Sequence, residues 1–138
     1  MNRTTKQCER DYIASVGATP YPNNERGRDG RYTDGTSFEF KCLLYSTPSI
    51  GGKYVTDYSH NIREAVGYYM SRAEWLVVEY EPRKYLKMSR VEAIEWLSAR
   101  ASLNRTSTAK GKHWTLRLNR NPRTAEATAK LLAEGFTL

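Results

Sequence analysis

Asp29, Glu39 and Lys41 are two carboxylates and an amine spaced so that one β-hairpin could gather them. They sit in the segment Asp29-Gly-Arg-Tyr-Thr-Asp34-Gly35-Thr-Ser-Phe-Glu39-Phe-Lys41. Asp-Gly between two strand-like runs is a strong hairpin signal. The two acids are symmetric about Asp34, so a three-residue loop Thr33–Gly35, with Gly35 left-handed, sets them directly opposite each other. Lys41 follows Glu39 by two residues, and strand alternation points both to one face. A two-residue Asp34-Gly35 loop would instead pair Gly30 with Glu39 and turn Asp29 to the other face. The chemistry therefore depends on register.

Close carboxylates raise one another's pKa unless a cation lies between them. Mg²⁺ suits such a site, because it takes hard oxygen ligands and keeps several of its own waters. A lysine beside the ion can orient an attacking water and stabilise a phosphate oxygen. In a chain of net charge +7, this set points to water attack on a phosphodiester.

The run Asp29-x9-Glu39-x-Lys41 resembles the PD-(D/E)xK signature of type II restriction endonucleases and Holliday-junction resolvases. The resemblance implies that Asp29 and Glu39 ligate Mg²⁺ (or Mn²⁺ in its place), aided by the main-chain carbonyl of Phe40. It implies that Lys41 serves the attacking water, and that products carry a 5′-phosphate and a 3′-hydroxyl. Arg28 stands where the signature has proline. A further helical glutamate of many members corresponds to Glu9, or less regularly to Glu25.

The elements that must position these residues follow from periodicity and caps. Residues 5–16 suit a helix, with Cys8, Tyr12, Ile13 and Val16 as its apolar stripe and Gly17 ending it. Ala18 to Tyr21, hemmed by Pro20 and Pro22, is an edge strand at best. Hairpin strands are expected over 28–33 and 36–44, then a loop over 45–59. Ile62, Ala65, Val66, Tyr69 and Met70 mark a second helix, with His60 near its start as a cap. Trp75 to Tyr80 reads as a buried strand that Pro82 stops. Ser89-Arg-Val-Glu92 is a capping box for a helix to about residue 101. Trp114 to Leu118 alternates like a strand, and a last helix opens at Asn121-Pro122 and closes at Gly135.

The expected fold is α/β (α+β): a restriction-endonuclease-like core, helix-strand-hairpin-helix-strand, around a mixed central sheet with extra C-terminal helices. The resemblance covers about residues 5–81 of a single domain over 1–138. A basic extension follows at about 96–138. Residues 1–95 are nearly balanced in charge, whereas 96–138 hold 8 basic and 2 acidic side chains. No acid stands between Glu95 and Glu126, a stretch that includes Arg105, Lys110, Lys112, Arg117 and Arg120. Such a basic, hydroxyl-rich segment suits phosphate backbones. Arg26, Arg28 and Arg31 flank the proposed site and are further DNA-binding candidates. Tyr54 and Tyr58, in the expected loop, are candidates for stacking on bases.

Charges early in the chain leave no signal-peptide core, and no apolar run is long enough to span a membrane. Cys8 and Cys42 lack zinc-type spacing and read as buried reduced thiols, which fits a cytoplasmic protein. One short chain supplies one active site, so cutting both strands of a duplex implies a homodimer. Two other readings stand beside the nuclease. One is a non-catalytic nucleic-acid-binding module; the other is a phage- or plasmid-type protein that binds an acidic host protein.

Overall fold

The computed structural model describes residues 3–22, 28–44, 49–55, 61–108 and 111–118. Helix α1 (Thr5–Val16) starts at a capping box between Thr4 and Gln7 and ends at left-handed Gly17. Two short strands follow, β1 (Thr19–Pro20) and β2 (Gly30–Arg31), then the longer β3 (Ser37–Cys42). Helix α2 (Ile62–Tyr69) is capped by the Asn61 side chain, which accepts from the Glu64 N–H. It runs through a 3-10 turn (Met70–Arg72) into β5 (Trp75–Glu81). Between β3 and α2 lies β4 (Ser49–Val55), and after β5 come β6 (Lys84–Ser89), α3 (Arg90–Arg100), β7 (Ala101–Thr108) and β8 (Gly111–Leu118).

The main sheet has the order β1-β2-β3-β5-β6 and is mixed, because β3 and β5 run parallel while its other pairs are antiparallel. Its two faces bury different sets. Cys8 and Tyr12 of α1 pack on Phe38, Phe40, Cys42 and Val77. On the other face, Leu76, Val78, Leu86 and Met88 meet Ala65, Val66 and Met70 of the α2 turn and Ala93, Trp96 and Leu97 of α3. Trp114 and Leu116 of β8 join that same cluster, so the second sheet, ordered β4-β8-β7, covers the helices from outside. Burial on both faces explains why β5 reads as a nearly continuous apolar run.

Three expectations need correction. The stretch read as a loop over 45–59 contains β4, paired with β8 through a register shift between Ile50 and Gly52. A bulge at a glycine pair removes the alternation by which a strand is recognised. Tyr54 therefore lies in a strand opposite His113 rather than in an irregular loop. Pro82 does end β5, but Pro82 and Arg83 form a tight turn, with Arg83 at φ 60°, that returns the chain into β6. Beyond α3 the expected strand from Trp114 to Leu118 lies within β8, but it pairs with β7, a strand that was not expected. The expected helix from Asn121 to Gly135, along with Tyr58 and His60, lies outside the described residues. Among those residues no helix is long and apolar enough to cross a membrane.

Candidate active site

The hairpin adopts the three-residue loop. Gly30 lies opposite Phe38 and Arg31 opposite Ser37, and this pairing ends one residue short of Asp29. The Tyr32 N–H donates to the Thr36 carbonyl at 2.8 Å, and Gly35 takes φ 90°, where an L side chain would be strained. Asp34 Oδ1 stabilises the turn by accepting from the Thr36 N–H (2.9 Å) and hydroxyl (2.6 Å). The glycine at position 30 is needed for space: a Cβ there would stand 2.4 Å from Phe38 Cζ.

Asp29 is fixed by main-chain contacts on both sides. Its N–H donates to the Phe38 carbonyl at 2.8 Å, and its carbonyl accepts from the Tyr21 N–H at 3.1 Å. Its carboxylate Oδ2 accepts from the Phe40 N–H at 2.7 Å. The Glu39 carboxyl comes within hydrogen-bonding reach of Asp29 and is only 6% exposed. Burial, then the contact with Asp29, pushes its pKa well above the usual carboxylate range, and the charge of Lys41 acts in the opposite sense. The three residues singled out by sequence are thus brought together on neighbouring strands.

Two more side chains reach this group. Glu9 of α1 is within hydrogen-bonding reach of Asp29, and its pKa is raised by burial and then by the Asp29 charge, with Lys6 opposing. Tyr69, at the end of α2, has a buried hydroxyl that comes within reach of Glu39 without a well-aligned hydrogen bond among the described residues. Its pKa is pushed well above the usual phenol range by burial first and then by Glu39 and Asp29. The Lys41 ammonium lies 5.7 Å from the centre of the Tyr69 ring, within cation–π range. Sequence reasoning left Glu9 open and read Tyr69 as a core position, since it completes an apolar stripe. Its only distinguishing signal was a polar tip at the end of that stripe. Glu25 lies outside the described residues.

The donor set suits a hard divalent ion. The carboxyl groups of Asp29 and Glu39 are hard oxygen donors of the kind such an ion takes. The acids form a chain of pairs, Glu9 to Asp29 and Asp29 to Glu39. Among the described residues no three His, Cys, Asp or Glu side chains converge as one ligand group. Such an ion would be held by Asp29 and Glu39, with water completing its shell.

The basic candidates divide between the two sheets. Arg28 stacks on Tyr21, its guanidinium carbon 4.5 Å from the ring centre, and Arg31 is exposed on β2. Arg117 is exposed on β8, while Arg105 and Lys112 lie in the paired backbone of β7 and β8, opposite Trp114 and Ser107 respectively. Arg26, Lys110 and Arg120 lie outside the described residues. Cys8 and Cys42 are buried free thiols with their sulfurs 3.7 Å apart.

No protein family, curated protein or solved structure matches this chain.

Proposed function

We propose that the chain is a Mg²⁺-dependent DNA endonuclease of the PD-(D/E)xK type with a restriction-endonuclease-like core. The observation that carries this reading is the meeting of Asp29, buried Glu39 and Lys41 at one end of the β2–β3 hairpin. With β4 set aside because it joins the second sheet, the order α1, β1, β2–β3, α2, β5 supports it, being the order that the family resemblance implies. Asp29 and Glu39 hold the cation, with the Phe40 carbonyl added by the resemblance. When bound, Mg²⁺ polarises the phosphate and makes water a better nucleophile.

Lys41 contributes a positive charge two residues along the same strand face, where it orients the attacking water and offsets charge on a phosphate oxygen. Tyr69 limits where that ammonium can sit. Water oxygen bonds to phosphorus, the bond to the 3′ oxygen breaks, and the products are a 5′-phosphate and a 3′-hydroxyl. The basic surface residues hold the DNA backbone, and two copies act as a dimer when both strands are cut.

A non-catalytic nucleic-acid-binding module is the second reading, favoured by the depth of Glu39, which is buried against Asp29 as a structural acid pair would be. One experiment separates the two readings. Plasmid, linear, branched and single-stranded DNA are incubated with the protein and Mg²⁺ or Mn²⁺. Cutting that EDTA stops, and that Asp29→Ala or Lys41→Ala abolishes while DNA binding persists, is the expected result. Binding without cutting on every substrate would sink the nuclease reading.

A further inference from the structure

A cleft of about 390 Å³ opens between α1 and the β1 edge. The proposed hydrolysis makes no use of it except through Glu9, which lines the cleft and also reaches Asp29. The cleft is therefore continuous with the candidate site.

Its lining mixes two chemistries. Pro20, Tyr21 and Pro22 supply apolar and aromatic surface at the β1 edge, and α1 supplies Ile13 with the cations Lys6 and Arg10. Lys6 and Arg10 are four apart, so they share one helix face. Arg10 is exposed and meets no acid among the described residues. Lys6 pairs with Glu9 at 3.3 Å and keeps 48% of its side chain exposed, so its ammonium can face a phosphate while it stays beside Glu9. Burial and the Asp29 charge raise the pKa of Glu9, which weakens its repulsion of an incoming anion. Arg28 against Tyr21 adds a third cation beside the aromatic wall.

An aromatic ring flanked by cations suits a base and its phosphates. Bases in a duplex are stacked on their neighbours and cannot enter a pocket unless extruded. The volume falls near the low end of ligand pockets, roughly 300–1,000 Å³, which suits one nucleotide rather than a base pair with its backbone. We infer that this cleft seats one unpaired nucleotide of a DNA strand beside the scissile phosphate. Its base lies against Tyr21 and the flanking prolines, and its phosphates lie against Lys6 and Arg10. The substrate class is then DNA with a single-stranded or splayed segment. The word "scissile" rests on the nuclease reading; the cleft itself is tested without cleavage.

The full-length Lys41→Ala protein is titrated, in EDTA, with a duplex bearing a single-stranded overhang and 2-aminopurine at its first unpaired position. A blunt duplex of equal length is the control. The overhang should bind roughly tenfold more tightly than the blunt duplex, the order expected from one base–aromatic stack. Binding should quench the 2-aminopurine, Tyr21→Ala should remove both quenching and preference, and Tyr21→Phe should keep them. Arg10→Glu, on an exposed helix face, should weaken the overhang complex about tenfold and the blunt one less than twofold. Equal affinity for the two DNAs, or quenching unchanged by Tyr21→Ala, overturns the inference even if Mg²⁺-dependent cleavage is found. Quenching that depends on Tyr21, with no cleavage of any DNA by the unsubstituted protein, upholds the cleft and removes the nuclease reading.

Discussion

Asp29 accepts the main-chain N–H of Phe40 through its carboxylate at 2.7 Å. An acid from one strand is thereby pinned over the backbone of the next, beside the residue that carries the second acid. This contact, rather than hairpin pairing alone, holds the two carboxyl groups together. Burying them side by side has measurable consequences.

The first concerns pH. Glu39 binds its proton more tightly in the folded chain than in the unfolded one, owing to burial and then to Asp29, and Glu9 is shifted in the same direction. Protonation therefore favours folding. The stabilisation is complete below the unfolded value, about pH 4, and is lost as pH rises through the raised folded value. In EDTA, Glu39→Gln should raise the thermal midpoint at pH 7.5 by about 3 °C or more, the shift roughly 1 kcal/mol produces in a chain of this size. At pH 4 the two proteins should melt alike, and Mg²⁺ should stabilise only the parent. A constant difference between them from pH 4 to 8 would contradict a buried, repelled carboxyl.

Gly30→Ala tests the register. Its added methyl would meet the ring of Phe38, which is fully buried and packed against Tyr12 and Tyr32. Overpacking of this kind costs about 1–3 kcal/mol. Denaturant melts should show that loss, and DNA cleavage should fall further than the folded fraction does, because Asp29 is the adjacent residue. Unchanged stability would mean that β2 does not lie against Phe38 as described.

Tyr69→Phe removes a buried hydroxyl that reaches Glu39 without a well-aligned hydrogen bond among the described residues. Stability should change by less than about 1 kcal/mol, since at most one poorly aligned contact is lost. The cleavage rate at saturating DNA should drop several-fold, because the polar group nearest Glu39 from α2 is gone. Tyr69→Leu, which also removes the ring beside Lys41, should cost more. Equal rates for the parent and Tyr69→Phe would make the residue a packing element alone.

Thiol labelling tests how α1 lies on the sheet. Cys8 is fully buried, and burial, followed by its contact with Cys42, pushes its thiol up to about 12. The thiolate is the reacting form, so an aromatic disulfide reagent at pH 8 should label neither cysteine of the folded protein quickly. Both should react in guanidinium, at least about a hundredfold faster. Rapid labelling without denaturant would show that α1 does not cover Cys42 in solution.

Local patterns were legible wherever one element carried its own signal. The Ser89 to Glu92 capping box is formed, and α3 runs behind it to Arg100. The apolar stripe and Gly17 gave α1, and the buried run at Trp75 gave β5. Strands without such signals were missed. β4 is interrupted at its glycines, and β7 is rich in hydroxyl and basic residues that read as surface. β6 follows a proline that read as a stop although it begins a turn.

The chain by itself confined Asp29, Glu39 and Lys41 to one hairpin but left two loop lengths open. The folded three-residue turn and the contact of Asp29 with the Phe40 N–H decided that they meet. Tertiary packing alone decided which other groups reach that place. Glu9 arrives because Cys8 and Tyr12 seat α1 on one face of the main sheet, and Tyr69 arrives because α2 packs on the other. Periodicity places a side chain on the face of its own helix. What that face meets depends on contacts between residues far apart in sequence, to which local patterns are blind.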